Sequence, residues 1–251
     1  MKKSFSLSLL SVFTVALLTA CGGGGGGSSN VATPIVTSPT TNTGTGTNTS
    51  TTDSTIAGTK ITLNASNRVK VNETSSSATT DINTVVVDGT SIQLYPTGIS
   101  SNTLSMIDSQ STRKGGSSNL TYTRYGYIKN GTSDPILFAQ GELTKDMPTT
   151  GSAIYTGKAI HVSNGTETFK DVVFDVNFAN KQISGQIRPE GSSVADVALS
   201  ATINGNEFAG KTSGTNGFTT TGKFYGTNAA EIGGVYRNAT GNISGAFGAK
   251  K

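Results

Sequence analysis

Residues 171–178 read Asp-Val-Val-Phe-Asp-Val-Asn-Phe, and this alternation decides the fold class. In an extended chain four apolar side chains share one face, namely Val172, Phe174, Val176 and Phe178. Period-two alternation predicts a β-strand with one buried face. The pattern recurs at Val197, Leu199, Ala201 and Ile203, and no sustained helical periodicity follows residue 56. The sequence therefore predicts an all-β, antiparallel fold.

Short turn signals separate the alternating segments. They are Asp88-Gly89, Asn130-Gly131, Asn164-Gly165, Asn204-Gly205 and Asn216-Gly217. Asn-Gly favours two-residue type I′ hairpins because both central residues of that turn need a positive φ. We therefore expect neighbouring strands to be joined by tight hairpins.

Glycines also recur inside the predicted strands, at Gly157, Gly185, Gly210, Gly222, Gly233, Gly234, Gly245 and Gly248. A strand glycine weakens the strand unless it relieves crowding or permits a bulge or sharp bend. Small closed barrels need such bends, and closure removes exposed strand edges. We therefore predict a β-barrel over residues 147–251, preceded by a smaller β-rich domain over residues 56–146.

The first twenty residues have the features of a cleaved signal peptide. Lys2 and Lys3 precede an apolar run too short for a convincing membrane span. Leu18-Thr19-Ala20-Cys21 then resembles the lipobox that bacterial lipoprotein signal peptidase cuts. We predict that Cys21, the one cysteine of the chain, becomes the acylated first residue and anchors the protein in a membrane.

Residues 21–55 are predicted to form a disordered tether. They consist almost wholly of Gly, Ser, Thr and Asn, and such a segment buries too little apolar surface to offset its chain entropy. The formal charge of +4 falls to about +2 without Lys2 and Lys3. A balance this close to neutral gives no electrostatic reason to expect nucleic-acid binding.

Three segments of the C-terminal half resemble the transferrin-binding protein B family. They are Gly222-Lys-Phe-Tyr-Gly-Thr-Asn-Ala-Ala-Glu-Ile-Gly-Gly-Val-Tyr236 with Ile243–Lys250, then Met147–Ala159, and more weakly Tyr122–Tyr127. The group is similar to factor H binding protein, haemophilin-type haem carriers and other surface lipoproteins exported by the Slam machinery. The resemblance implies one lobe, with an N-terminal handle domain before an eight-stranded barrel, displayed on the outer membrane.

Tyr122, Arg124, Tyr125 and Tyr127 form a cluster of candidate ligand-binding residues. Tyrosine and arginine are enriched at binding hot spots, and tyrosine can ligate haem iron. The alternative is ordinary strand propensity, which by itself favours tyrosine in strands.

His161, the single histidine, is a candidate axial ligand of haem. It shares a predicted strand face with Ala153, Tyr155, Gly157 and Ala159. The alternative is a histidine that caps the strand end or faces solvent near the Asn164-Gly165 turn. No second histidine or free cysteine exists to complete a zinc site, so we predict no metal site.

No catalytic constellation is recognisable, so we predict a binding protein and not an enzyme. A Ser–His pair lacks a Gly-x-Ser-x-Gly elbow, and Asp171 and Asp175 are expected on the solvated exterior of the barrel. Two functions stay open. The first is capture of haem or of a host iron or haem protein, with transfer to an outer-membrane transporter. The second is adhesion, or recruitment of a host complement regulator for immune evasion.

Overall fold

The computed structural model describes residues 56–75, 81–96, 99, 103–116, 120–214 and 217–251, with only the backbone for residues 71–75. The predicted signal peptide, Cys21 and the predicted tether lie outside the described residues. The described part is all-β apart from one turn of 3-10 helix at Thr227–Ala229. It contains no helix of the length and apolarity needed to cross a bilayer.

A six-stranded antiparallel sheet precedes the barrel, and we call it the handle sheet. Its strand order is β2-β1-β8-β7-β6-β5. The strands are β1 (Ile56–Leu63), β2 (Val69–Ser75), β5 (Leu104–Ile107), β6 (Ser111–Gly116), β7 (Thr123–Asn130) and β8 (Ile136–Glu142). A separate hairpin of β3 (Thr84–Val87) and β4 (Thr90–Gln93) packs on one face of this sheet.

Eight antiparallel strands close into a barrel, in the order β10-β11-β12-β13-β14-β15-β16-β9. They are β9 (Ser152–Ser163), β10 (Thr166–Asn177), β11 (Gln182–Pro189), β12 (Val197–Asn204), β13 (Glu207–Lys211), β14 (Phe218–Tyr225), β15 (Glu231–Asn238) and β16 (Ile243–Lys250). The predicted fold class and the eight-stranded barrel are confirmed.

The apolar alternation places its residues as predicted. Val172, Phe174, Val176 and Phe178 are all at most 5% exposed, and they pack in the barrel interior with residues such as Phe208, Phe224 and Phe247. The Phe174 and Phe247 rings lie 4.6 Å apart between centroids. Asp171 and Asp175 point outward, because they alternate with these buried residues.

Two of the five predicted hairpin turns have the type I′ conformation. Both central residues have positive φ at Asn164-Gly165 (51° and 82°) and at Asp88-Gly89 (48° and 79°). The turn predicted at Asn204-Gly205 is shifted by one residue, because Asn204 pairs with Glu207 and the two-residue loop is 205–206. In that loop only Gly205 has a positive φ (60°), as in a type II′ turn. Asn130 pairs with Ser111 as the last residue of β7, so a longer loop follows it. Asn216 lies outside the described residues.

The handle sheet and the barrel share one apolar core. On the handle side the core is made by Ile61, Leu63, Leu120, Tyr125, Tyr127, Leu137 and Ala139. On the barrel side it is made by outward-facing residues of β9, β15 and β16, namely Ile160, Val162, Val235 and Ala246. All of them are at most 6% exposed. The outer wall of the barrel is therefore a buried surface wherever the handle sheet covers it.

Candidate functional site

Two of the candidate tyrosines lie in this shared core. Tyr125 is 2% exposed and Tyr127 is 3% exposed. The Tyr125 ring packs across the backbone of Gly248, where any side chain would collide with it. The Tyr127 hydroxyl donates a hydrogen bond to Oδ1 of Asn67 over 3.0 Å, and burial raises its pKa to about 12. Both rings therefore hold the handle sheet against the barrel.

Arg124 points to the opposite face of the handle sheet, because strand neighbours alternate. Its Nε donates to Oδ1 of Asn83 over 2.8 Å, and its Nη1 donates to the carbonyl oxygen of Leu120 over 2.9 Å. Asn83 directly precedes β3, so the guanidinium ties that hairpin to β7. Burial lowers the pKa of Arg124 from its usual value.

Tyr122 lies where the handle sheet meets the end of β14. Its half-buried ring covers Gly226, whose φ of 73° already favours glycine.

The backbone N–H groups of Thr121 and Tyr122 donate to the carboxylate of Glu231 over 2.6 and 3.0 Å. Glu231 is 3% exposed, and burial raises its pKa although these hydrogen bonds oppose the rise. No sequence pattern revealed this carboxylate, because its partners are backbone groups 109 and 110 positions away.

His161 faces the barrel interior, as the strand alternation predicted. It is 6% exposed, and its Nδ1 lies 2.7 Å from the Tyr236 hydroxyl oxygen. Desolvation lowers the pKa of His161 to about 4; the positive charge of Lys170 adds to this and the negative charge of Asp196 opposes it. The imidazole is therefore neutral at physiological pH. The alternative of a strand cap or solvent-facing histidine is wrong, because the ring is enclosed.

The structure does not bring the five candidates into one site. The side chains of His161 and Tyr125 lie on opposite sides of the barrel wall. His161 contacts Tyr236 inside the barrel, whereas Tyr125 covers Gly248 from outside. His161, Tyr125 and Tyr127 are enclosed by packed side chains, so none of the three is open to solvent. Tyr122 and Arg124 are partly exposed but turn toward different partners. The described residues contain no group of three or more potential metal ligands.

The handle also presents apolar side chains to solvent. Three of the five exposed large hydrophobic residues that the structure describes lie there, namely Val86 (43%), Ile99 (48%) and Ile107 (76%). Val86 points away from the handle sheet, because its neighbours Val85 and Val87 pack against it. The sequence alone could not separate these residues from the core, since Val85, Val86 and Val87 are identical in type.

Comparison with known proteins places the barrel in a family. The family model for the C-lobe and N-lobe β-barrels of transferrin-binding protein B (TbpB) matches residues 147–251. The chain is TbpB-like. It is 32% identical to TbpB of Moraxella catarrhalis over 167 residues, which are 53% of this chain and 24% of that protein. The family's barrel domain therefore corresponds to the closed barrel of β9 to β16.

Similarity extends beyond the barrel into the handle sheet. An uncharacterised protein of Haemophilus influenzae is 31% identical over 196 residues, 68% of this chain and 66% of that protein. A crystal structure of TbpB from Haemophilus parasuis superposes with a TM-score of 0.61 at 26% identity, covering 78% of this chain and 45% of that one. The chain thus spans about a quarter of the M. catarrhalis TbpB and less than half of the H. parasuis structure.

Proposed function

We propose that this chain is an outer-membrane surface lipoprotein that binds a host iron-carrying protein. The proposal is supported by similarity to TbpB proteins, whose name states that they bind transferrin. Binding rather than catalysis is the activity for which that family is named. A lipid on Cys21, export by the Slam machinery and delivery of iron to an outer-membrane transporter belong to the same proposal.

The positions of exposed apolar side chains favour a protein ligand over direct binding of haem. Three of the four candidate haem ligands are enclosed, namely Tyr125, Tyr127 and His161, and Tyr122 is half-buried. Three apolar side chains before the barrel are exposed instead, namely Val86, Ile99 and Ile107. Val86 lies on the β3–β4 hairpin and Ile107 on the edge strand β5, and a protein that covered them would remove their apolar surface from water. The shared core packs the handle sheet against the barrel, so the edge strand β5 that carries Ile107 is already in place before a partner binds. We therefore propose the outer part of the handle as the docking surface.

The test is a binding measurement on the full chain, purified in detergent and immobilised. Iron-loaded transferrin, iron-free transferrin, haemoglobin and factor H are passed over it. We expect one of the iron or haem proteins to bind, and Val86→Asp with Ile107→Asp to weaken that binding at least about tenfold, since a buried unpaired charge is costly. Val194→Asp is the matched control, because Val194 is 71% exposed but lies in the barrel.

Other outcomes contradict the proposal. Binding of factor H alone would favour recruitment of a host regulator. A shifted Soret band on adding haem, abolished by His161→Ala or by changes at Tyr122, Tyr125 or Tyr127, would favour direct haem capture. If Val194→Asp weakened binding of the host protein as much as the handle variants do, the docking surface would not be on the handle.

A further inference from the structure

A concave groove lies on the outer wall of the barrel, across β9 to β12. Its volume is about 690 Å³, and its lining includes Ser152, Ile154, Asp175, Gln182, Ser184 and Ser200. The handle residues that form the shared core contact β9 further along, at Ile160 and Val162. The groove is therefore separate from the handle surface proposed above.

Strand register places the groove side chains in one row. Asp175 pairs with Ile154 on one side and with Ser184 on the other, and Ser184 pairs with Ser200. Direct cross-strand neighbours on one face have Cβ atoms about 5 Å apart. Three of the four side chains in this row are short or small, which explains why the wall is hollow here. Ile154, 61% exposed, forms the apolar end of the row.

The polar groups of the groove are left free by the fold. Among the residues that the structure describes, the side chains of Ser152, Asp175, Gln182, Ser184 and Ser200 make no hydrogen bond or ion pair to another part of the chain. The amide oxygen of Asn177 accepts the backbone N–H of Asn180 over 2.9 Å, and its amide nitrogen has no hydrogen-bond partner in the part of the chain that the structure describes. Hydroxyl, amide and carboxylate groups therefore face the groove together.

Asp171, on the same outer face of the barrel, has charged and hydrogen-bonding partners that Asp175 lacks among the described residues. It lies on the same strand and the same face as Asp175, yet it pairs with Lys158 over 2.7 Å and accepts the backbone N–H of Gly191 over 2.9 Å. Asp175 has no basic partner among the described residues. A carboxylate without a cation, beside hydroxyls and amides, repels anionic ligands and can accept two hydroxyl groups at once.

From this arrangement we propose that the groove binds a neutral sugar unit. A sugar presents adjacent hydroxyls that can donate to Asp175 and exchange hydrogen bonds with Ser184, Ser200 and Gln182. Its C–H face can rest on Ile154, which supplies the apolar contact. Acidic sugars are disfavoured by the uncompensated carboxylate. Ile154 is the one outward-facing aliphatic side chain of the lining, since Ala153, Val176 and Ile183 point into the barrel, and the lining contains no aromatic ring. The affinity is therefore expected to be modest, with a Kd of about 1 mM.

Saturation-transfer NMR on the full chain tests the proposal, in a detergent without sugar headgroups. The probes are methyl galactoside, methyl mannoside, N-acetylglucosamine and, as the acidic case, N-acetylneuraminic acid. We expect transfer to at least one neutral sugar. Asp175→Ala should weaken it about tenfold, and Ser184→Leu should abolish it by filling the groove. Asp171→Ala is the matched control and should retain binding. Melting curves of all variants confirm that they fold, since these positions face outward.

Each remaining outcome overturns the proposal. Absence of transfer to all neutral sugars would remove the site, and so would transfer that neither groove variant changes. Equal binding of the acidic sugar would contradict the role of Asp175. If Asp175→Ala weakened binding of a host protein while no sugar bound, the groove would be a protein contact instead. The handle variants above do not touch this groove, so failure here leaves the proposed function standing.

Discussion

Nδ1 of His161 and the hydroxyl oxygen of Tyr236 lie 2.7 Å apart inside the barrel, each with its ring buried. The two rings belong to β9 and β15, and a residue of β16, Gly245, lies directly under the Tyr236 ring. A side chain at position 245 would collide with that ring. Each of the two polar groups thus replaces a water partner for the other. Desolvation in this enclosed position is what keeps the imidazole neutral.

Acid is expected to destabilise the barrel through His161. Its pKa is about 4 in the fold, mainly because of desolvation, against 6.5 ordinarily. Between pH 6.5 and about 4 the unfolded chain binds a proton at His161 and the folded chain does not. The contribution of the neutral histidine to the free energy of unfolding is therefore complete above pH 6.5, declines as the pH falls below that value, and is lost near pH 4. The predicted loss is about 3 kcal/mol.

Denaturant unfolding of the wild type and His161→Gln at pH 7, 5.5 and 4.5 checks this. The difference in free energy of unfolding between the wild type and His161→Gln should become smaller as the pH falls. Glu231 is present in both proteins, so the effect of its own raised pKa cancels from the difference. A constant difference across the three pH values would contradict a neutral buried imidazole.

Glu231→Ala is expected to reduce the free energy of unfolding by about 3 kcal/mol, since it removes the buried carboxylate that accepts the N–H groups of Thr121 and Tyr122. Urea denaturation measures the change. Glu190→Ala is the control, because Glu190 pairs with Lys158 at the exposed surface and should contribute little. Equal costs for the two variants would mean that Glu231 does not bind the handle to the barrel.

Gly248→Ala is expected to destabilise the protein by about 2 kcal/mol, because the added methyl group collides with the Tyr125 ring. The same change in a Tyr125→Ala background should cost less, since the ring is gone and only the flexible end of the Leu120 side chain stays close to the added methyl group. The coupling between the two positions is read from thermal melts of the four proteins. Additive effects would show that the two residues do not meet.

The barrel fragment 147–251 is expected to fold without the handle but to lose stability. It would expose Ile160, Val162, Val235 and Ala246, which the shared core covers. Circular dichroism should show strand with a cooperative melt below that of the full chain, together with binding of a hydrophobic dye. Replacing Val235 with Thr should reduce the dye signal. A random-coil spectrum would mean that the barrel needs the handle to fold.

Cys21 lies outside the described residues, and its acylation is a prediction from Leu18-Thr19-Ala20 alone. Radiolabelled palmitate should enter the wild-type chain and a Ser28→Ala control, and should be absent from Cys21→Ala. Equal labelling of all three would exclude the anchor.

Local pattern was enough to predict the barrel strands and their inward faces. The alternation of residues 171–178 specifies which side chains are buried, because a strand with one apolar face has one stable orientation against a core. The positive φ values at Asn164 and Gly165 follow equally from local chemistry. The sequence also carried the resemblance to the TbpB family, whose barrel model matches residues 147–251.

Only the tertiary structure decided the roles of Tyr122, Arg124, Tyr125, Tyr127 and His161. Tyr125 and Arg124 are adjacent in sequence, yet one packs on the barrel and the other holds a hairpin, because both faces of β7 are covered by other parts of the chain. The hollow at Asp175 likewise depends on which residues β9, β11 and β12 bring beside it. Strand pairing joins positions that are distant in the chain, so neither a buried tyrosine nor a free carboxylate can be told from local sequence.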